Sequence, residues 1–370
     1  MNILIIGNGF DLAHHLPTQY SDFLDYVKAF KNPDDSEYSK HIADVKAHNS
    51  KLYAEMNSLI EDNVLLDYFL SIYEERCSEG KRGWIDFESE ISFIIQRLDA
   101  AKQEIIQKVS KTGSLAPLSV GIAKDLFPFI AMKGEKSLEE VLRGRLYEPR
   151  YFDYQGKRIL SSLDKLTRLL EIYLHEYVGN IVCKYRVLDL DTLKIDKVLS
   201  FNYTDTYKNY YDLEGKAQYC FIHGRAKQGD IKSCNLVLGI DEYLPDDRRD
   251  TDNQFVWFKK FYQRIYKETG SEYLDWIEKI EQLNKMLAKS NPPQTNLYFY
   301  GHSLDVTDKD VLRRLIMTEN TITHIFYHNR DSMANLISNL VKVIGEDNLI
   351  EKTGGKTRTI KFIQSRAAEG

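Results

Sequence analysis

The sequence predicts an α/β fold in which a mainly parallel sheet is combined with a large helical insertion. Short apolar runs alternate with helical patterns from residue 196 onward, and one further run, Ile3–Ile6, opens the chain and stops at Gly7. A continuous apolar run that ends at a glycine is typical of a strand buried on both faces of a parallel sheet. Between residues 30 and 190 the apolar spacing is helical instead.

The domain boundaries follow this change of pattern, since 370 residues are enough for two domains or for one domain with an insertion. We expect residues 1–30 and 191–370 to form the α/β domain and residues 31–190 to form the helical insertion. The predicted strands are Ile3–Ile6, Val198–Phe201, Tyr219–Ile222, Val237–Ile240, Leu297–Tyr300 and Ile325–Tyr327, with Thr359–Ile363 as a last strand. Helical patterns cover 10–16, 18–30, 47–75, 91–111, 159–186, 252–290, 308–317 and 332–344, with a break at Gly80–Gly83.

Composition narrows the class of protein. A net charge of -5 and a pI near 6.0 argue against a basic nucleic-acid surface spread over the whole chain. The four cysteines show no C-x-x-C spacing, which argues against a zinc ribbon and for a reducing compartment. The first apolar run has no basic leader, and no run approaches the ~20 residues of a membrane helix. We therefore expect a cytoplasmic protein without a signal peptide, a membrane span or a metal site.

The turn after the first predicted strand combines small residues with the start of a helix. Gly7 and Gly9 permit positive φ angles and therefore a tight turn. Backbone N–H groups placed there, after a buried strand, can bind a phosphate. The pattern G-x-G lacks a third glycine at the usual spacing, so an ordinary strand-to-helix turn is the alternative.

Polar residues follow four of the predicted strands, and a parallel sheet brings such ends to one edge, where ligands bind. The four stretches are Gly7–Asp11, Asn202–Asp205, His223–Gly224 and Gly301–Leu304. We expect one pocket lined by Gly9, Asn202, His223 and Gly301. Within the last stretch, Gly301 and Ser303 can contact a phosphate or a ribose, whereas His302 has no expected role beyond proximity.

Three of these side chains have both a chemical use and a structural alternative. The Asn202 amide can orient a water or a ribose hydroxyl, or it can form an Asx turn. Asp205 can bind a carboxamide or cap the helix that follows. His223 stands before a glycine at a strand end, where it can act as a general base near neutral pH.

A nuclease site is the competing chemical interpretation. Asp11, Asp86 and Glu88 supply carboxylates that a metal could use, although Asp86 is also well placed as a helix N-cap with Glu88 in the first turn. Arg168 and His175 are seven residues apart and would share one helix face, as in some helical ribonuclease toxins.

The motifs together resemble a known family. The opening I-L-I-I-G-N-G-F-D-L-A-H-H-L-P-T-Q-Y-S-D-F-L resembles the start of the AbiH family of bacterial phage abortive-infection proteins. Further stretches are similar to that family in the same order along the chain: Trp84–Glu88, Ser200–Asp205, Ile222–Gly224 and Gly301–Leu304. The resemblance implies an effector of antiviral defence.

The same blocks resemble, more distantly, the Rossmann-like fold of sirtuin-like NAD-binding proteins. That resemblance implies an enzyme that hydrolyses NAD, because sirtuin-like defence proteins without zinc are typically NAD hydrolases. It implies catalytic roles for Asn202, His223 and Asp205. It implies cofactor contacts from Gly7, Asn8, Gly9, Phe10, Asp11, Pro17, Thr18, Tyr20, Gly301, His302 and Ser303. The chain departs from the sirtuin-like pattern at Asn8, where alanine is usual, and by two residues, not one, between Asn202 and Asp205.

Three functions therefore remain open at this point. The first is an NAD hydrolase, in which the pyrophosphate would lie on Gly7–Gly9, Asn202 would position the nucleophile and His223 would accept its proton. The second is a metal-dependent or HEPN-like nuclease toxin, and the third a non-catalytic nucleotide sensor. The expected partners are a nucleotide ligand, a phage-derived trigger or defence protein, and further copies of the same chain.

Overall fold

The computed structural model describes residues 1–78, 80, 85–132, 135–287 and 293–366. The chain divides into two compact units. We call Met1–Gln19, Glu171–Gln228 and Arg264–Gly370 the sheet unit, and Tyr20–Leu170 with Gly229–Gln263 the helical unit. These bounds differ from the predicted 1–30, 31–190 and 191–370, because 20–30 and 229–263 group with the helical unit and 171–190 with the sheet unit.

The sheet unit is built on six parallel strands. They are β1 (Asn2–Ile6), β2 (Lys197–Ser200), β3 (Gln218–Phe221), β4 (Thr295–Tyr300), β5 (Thr321–Tyr327) and β6 (Ile360–Gln364). Their order is β3-β2-β1-β4-β5-β6, with every neighbouring pair parallel. Leu4 of β1 pairs with Val198 on one side and Tyr298 on the other, so the first strand lies at the centre, where the strand order reverses.

The helices have the following bounds in chain order: α1 (Asn8–Ala13), α2 (Tyr20–Lys31), α3 (Glu37–His48), α4 (Ser50–Ile60), α5 (Val64–Ser78), α6 (Phe87–Thr112), α7 (Val120–Asp125), α8 (Phe127–Ile130), α9 (Leu138–Leu142), α10 (Pro149–Ile172), α11 (Leu188–Asp191), α12 (Thr206–Tyr210), α13 (Asp246–Arg249), α14 (Lys260–Tyr266), α15 (Glu272–Met286), α16 (Lys309–Met317), α17 (Arg330–Ile344) and α18 (Glu346–Thr353). Short 3-10 turns occupy Val178–Asn180, Val256–Phe258 and Val306–Asp308, and one π-helical turn occupies Tyr173–Tyr177.

The alternation of β1 side chains explains why its sequence is apolar throughout. Ile3 and Ile5 pack into one core with residues of α15, α16 and α17, whereas Leu4 and Ile6 pack into a second core with Phe10. Successive side chains of a strand point to opposite faces, so a strand covered on both faces needs apolar residues at every position. The prediction of a parallel sheet buried on both faces is confirmed at this strand.

The predicted strands are confirmed with one exception, Val237–Ile240, which is wrong. This segment lies in the helical unit, where Ile240 makes a single isolated parallel bridge to Lys259. The side chain of Gln263 accepts a hydrogen bond from the Leu238 N–H (3.1 Å) and donates one to the Leu238 carbonyl (3.1 Å). A side-chain amide thus satisfies the backbone groups that a neighbouring strand would otherwise bind, and the buried apolar run needs no sheet.

The helical unit contains more breaks than the periodicity predicted. The pattern over 47–75 is split among α3, α4 and α5, because Asn49 caps α4 by accepting from the Leu52 N–H and Asn63 accepts from the Leu66 N–H. The pattern over 159–186 is α-helical only to Ile172, and the helical turns that follow end at Asn180. The predicted break at Gly80–Gly83 and the motif residue Trp84 lie outside the described residues, except Gly80. In the described part of the chain, no helix is long and apolar enough to cross a membrane.

The turns after β1 and β4 touch backbone to backbone in the sheet unit. A Cβ atom on Gly7 would stand 2.7 Å from the His302 Cα, and one on Gly9 would stand 2.8 Å from the Gly301 Cα. Gly301 has φ +66°, and a Cβ there would collide with the Phe10 backbone nitrogen. Real Cβ atoms do not approach this closely, so the contact requires glycine at all three positions.

We expect Gly301→Ala to destabilise the fold far more than Gly215→Ala. Both glycines have a positive φ, +66° and +64°, but a Cβ on Gly215 meets no described atom within 4 Å. Each alanine carries the backbone strain of a positive φ, roughly 1–2 kcal/mol. Gly301→Ala adds an overpacking cost of roughly 1–3 kcal/mol.

Urea unfolding of both variants and of the wild type measures this difference directly. Equal losses of unfolding free energy in the two variants would show that the two turns can separate without cost, contrary to the contact described.

Candidate functional site

The β1–α1 turn uses its own backbone donors within the chain. The Gly7 N–H donates to the Tyr300 carbonyl (3.3 Å), the Gly9 N–H to the Gly301 carbonyl (2.8 Å) and the Phe10 N–H to the Gly7 carbonyl (2.8 Å). The Asn8 side chain accepts a hydrogen bond from the Thr18 hydroxyl (2.6 Å). The N–H groups of Gly7 and Gly9, which the sequence analysis considered for a phosphate, therefore bind carbonyls at the end of β4, and the Phe10 N–H closes the β1–α1 turn itself.

The predicted contacts that follow α1 fall in different parts of the chain. The Pro17 carbonyl accepts a hydrogen bond from the Tyr173 hydroxyl (2.7 Å) within the sheet unit. Tyr20 begins α2 in the helical unit, where its ring stacks on Phe87 with centroids 4.2 Å apart. Ser303 lies in the β4 turn, and its carbonyl accepts from the Asn339 side chain (2.9 Å).

Asp11 is the most deeply buried carboxyl of this edge. It lies in α1 with 1% of its surface exposed, and its Oδ2 accepts a hydrogen bond from the Thr204 hydroxyl (2.6 Å). Burial raises the pKa of Asp11 to about 6, while the nearby side chains of Thr204, Thr206 and Asn202 lower it by a smaller amount. The other oxygen, Oδ1, has no hydrogen-bond partner among the described residues.

Asn202 follows β2 and is buried beside this carboxyl. Only 5% of it is exposed, and neither its amide nitrogen nor its amide oxygen has a hydrogen-bond partner in the described part of the chain. The turn is held by Ser200, whose hydroxyl accepts from the Asn202 N–H (3.1 Å) and donates to its carbonyl (3.0 Å). The alternative of an Asx turn formed by the Asn202 side chain therefore does not apply. An unpaired buried amide costs roughly 1–3 kcal/mol, so these atoms are available to bind a ligand or a water.

Asp205 is paired by a residue that the sequence analysis did not single out. It occupies the N-cap position of α12 without a side-chain capping bond, and instead its Oδ2 accepts from the Arg225 guanidinium. Its Oδ1 is buried and has no partner among the residues described. A shallow depression lies here, lined in part by Thr204, Asp205, Lys208 and Phe221, and it encloses no space for a ligand.

His223 follows β3 and is held by a second unexpected partner, Asp308. The His223 Nε2 lies 3.1 Å from Asp308 Oδ1, and the His302 Nε2 lies 3.8 Å from Asp308 Oδ2. The Phe201 ring packs edge-on against both imidazoles, with centroids 5.5 Å from His223 and 4.2 Å from His302. The ends of β2, β3 and β4 are thus linked by contacts. Whether Gly9, Asn202, His223 and Gly301 line one pocket stays a prediction.

The missed residues carried a weak signal in the sequence. Arg225 directly follows the His223–Gly224 pair, and Asp308 follows His302 by six residues in the run G-H-S-L-D-V-T-D. Single charged residues in loops, such as Arg225 and Asp308, follow no helical or strand period that would predict their partners. Only the tertiary arrangement of the loops shows that they contact Asp205 and His223.

The residues of the nuclease interpretation have structural partners. Asp86 caps α6 by accepting from the N–H groups of Glu88 and Ser89, which confirms the capping alternative. Glu88 is paired with Lys260 (2.8 Å), and the buried Arg168 is paired with Glu55 (2.8 Å). His175 contacts Glu176 (3.0 Å) in the π-helical turn. Within the described ranges, no group of three or more histidine, cysteine, aspartate and glutamate side chains is arranged to hold a metal.

Comparison with known proteins adds a family to this geometry. Residues 3–328 match the family model described as "Bacteriophage abortive infection AbiH". A curated relative, the uncharacterized protein R392 of Acanthamoeba polyphaga mimivirus, is 21% identical over 222 residues, which cover 56% of this chain. The chain spans about half of that relative, 55% of its length. No solved structure matches the chain.

We expect Asp11→Asn to stabilise the protein above about pH 6 and to have little effect near pH 4. The folded state raises the pKa of Asp11 from 3.8 to about 6, so it binds this proton more tightly than the unfolded state does. The wild type therefore loses stability as pH rises through this window, by about 3 kcal/mol in total, and the asparagine variant does not.

Urea unfolding of both proteins at several pH values between about 4 and 8 measures this difference. The matched control is Asp34→Asn, whose carboxyl is exposed and whose pKa is lowered by hydrogen bonds from Ser36 and Ser39. A difference between wild type and Asp11→Asn that does not change with pH would mean that Asp11 is not desolvated.

Proposed function

The chain belongs to the AbiH family of bacteriophage abortive infection proteins, and we propose that it serves this defence by hydrolysing NAD to nicotinamide and ADP-ribose. Membership of this family supports the proposed anti-phage role. The reaction is our proposal, and the geometry of the sheet edge supports it.

The strand order is the first support. The order β3-β2-β1-β4-β5-β6 is that of doubly wound, Rossmann-like sheets that bind dinucleotides. In such sheets the ligand lies beyond the carboxyl ends of the strands, at the point where the strand order reverses. Here that point lies between β1 and β4, next to Asp11 and the Gly301 turn.

The observation that carries the proposal is the set of buried polar atoms left without partners at this edge. Asp11 Oδ1 and both amide atoms of Asn202 have no hydrogen bond within the described residues. A ribose hydroxyl both donates and accepts, so it can satisfy a carboxylate oxygen and an amide nitrogen together. The unpaired Asp205 Oδ1 accepts in the same way from the carboxamide nitrogen of nicotinamide.

The reaction breaks the bond between nicotinamide and C1′ of its ribose. Nicotinamide leaves with the bonding electron pair, and an oxocarbenium-like ribose remains. A water oriented by Asn202 attacks C1′, and His223 accepts the proton that this water releases. The products are nicotinamide, ADP-ribose and one proton.

We do not assign the pyrophosphate to the β1–α1 turn, because the N–H groups of Gly7, Gly9 and Phe10 bind protein carbonyls and α1 has only six residues. The depression beside Asp205 encloses no room for a dinucleotide. We therefore propose that only the nicotinamide riboside part of NAD contacts this edge.

We expect His223→Ala and Asn202→Ala each to lower the rate of NAD cleavage by roughly 10²–10⁴-fold while the protein stays folded. The loss of a general base, or of the group that orients the nucleophile, has an effect of this size. The measurement is nicotinamide release by purified protein, with thermal unfolding recorded on the same samples and phage protection tested in cells.

His324→Ala is the matched control, because His324 lies on β5, is half buried and stacks on Tyr298 with centroids 4.7 Å apart. It should lose stability without a specific loss of turnover. Full activity in His223→Ala, or a loss that only follows unfolding, would overturn the assigned role. Metal-dependent cleavage of RNA or DNA without NAD turnover would replace the proposal with the nuclease function.

A further inference from the structure

One buried carboxylate, Asp308, lies between two buried imidazoles. Its Oδ1 is 3.1 Å from His223 Nε2 and its Oδ2 is 3.8 Å from His302 Nε2. The exposed fractions are 7% for Asp308, 6% for His223 and 7% for His302. A buried carboxylate is stable only if the groups around it donate hydrogen bonds to it.

A backbone hydrogen bond determines which ring nitrogen of His302 carries the proton. The Leu304 N–H lies 2.9 Å from His302 Nδ1, and an N–H group can only donate. His302 Nδ1 is therefore an acceptor, and the neutral ring carries its proton on Nε2, the atom that faces Asp308. Both ring nitrogens of His302 thus have protein partners. This argues against the cofactor contact that the sequence analysis expected of its side chain.

The Asp308 carboxylate determines which ring nitrogen of His223 carries the proton. A carboxylate only accepts hydrogen bonds, so the 3.1 Å contact requires the proton on His223 Nε2. The lone pair of the neutral ring is then on Nδ1. That atom makes no hydrogen bond to any residue that the structure describes. It is the one position of the ring at which a proton can be accepted from a ligand or water.

The turn that carries this arrangement has an unusual backbone. Leu304 is fully buried and has φ +56°, a conformation that residues with a Cβ rarely adopt. Non-glycine residues persist in this region only where the surroundings hold them, and they cluster at functional sites. Here the conformation directs the Leu304 N–H at His302 Nδ1.

We infer that Asp308 is a positioning residue that keeps the proton of His223 on Nε2 and presents Nδ1 as the base, while His302 Nε2 lies 3.8 Å from its second oxygen. The identity of the reaction rests on the proposed function. The position of the proton on His223 does not, because it follows from the hydrogen bonds alone.

The substitution Asp308→Asn gives a specific expectation. An asparagine can accept from only one of the two imidazoles and must direct its NH₂ group at the other. His302 must keep its proton on Nε2 because its Nδ1 accepts a hydrogen bond from the Leu304 N–H. The asparagine oxygen therefore faces His302 and its NH₂ group faces His223, whose proton moves to Nδ1. The atom that serves as the base is lost.

The test is ¹⁵N NMR of the imidazole nitrogens in full-length protein at a pH where the histidines are neutral, with His223→Ala used to assign the signals. We expect the proton on Nε2 of His223 in the wild type and on Nδ1 in Asp308→Asn. The matched control is Asp305→Asn on the same loop, whose carboxyl accepts from the Thr307 N–H (3.0 Å) and should leave the His223 signals unchanged.

A wild-type His223 protonated on Nδ1, or a folded Asp308→Asn variant with unchanged signals, would overturn the inference. Turnover gives a separate readout: Asp308→Asn should lower kcat for NAD at least roughly 10²-fold with little change in KM. If the wild type cleaves no NAD but shows the expected signals, the proposed function fails and the positioning role stands.

Discussion

The close contact between the turns after β1 and β4 is the constraint on which the rest of the site depends. Gly7, Gly9 and Gly301 have no Cβ, so the two backbones approach to a distance that no other residue permits. The contact uses the N–H groups of Gly7 and Gly9 and fixes α1, which carries Asp11. It also fixes the start of the loop that carries His302 and Asp308. One packing contact therefore orients both polar clusters of the sheet edge.

The titratable groups of the two clusters, Asp11 and His223, lie in different environments. Asp11 is a carboxyl whose pKa burial raises to about 6, with one oxygen bound by Thr204 and the other without a hydrogen-bond partner among the described residues. His223 is an imidazole held by a carboxylate that it shares with His302. Pairs of titratable groups in contrasting environments are typical of active sites. The same residues also stabilise the fold, since the histidines pack on Phe201 and Asp11 is a buried residue of α1.

The family match and the site geometry answer different questions. The match over residues 3–328 includes stretches of both units and establishes the family. It does not name a reaction, and folds of this class host many chemistries. The proposed reaction rests on atoms of Asp11, Asn202 and Asp205 that have no hydrogen-bond partner among the described residues. Hydrogen bonds that a folded chain leaves unmade are informative because they are costly.

The sequence by itself determined the sheet and the edge at which the polar residues gather. Continuous apolar runs such as Ile3–Ile6 have to be buried on both faces, and parallel strands bring their ends together, so both conclusions follow from local patterns. Only the tertiary structure decided which side chains form hydrogen bonds and ion pairs with one another. Gln263 satisfies the backbone at Leu238 in place of a strand, Arg225 binds Asp205, and Asp308 joins His223 to His302. The contacts of Gln263 with Leu238, of Arg225 with Asp205 and of Asp308 with His223 link residues 20 to 85 positions apart, and no period in the sequence encodes which side chain meets which.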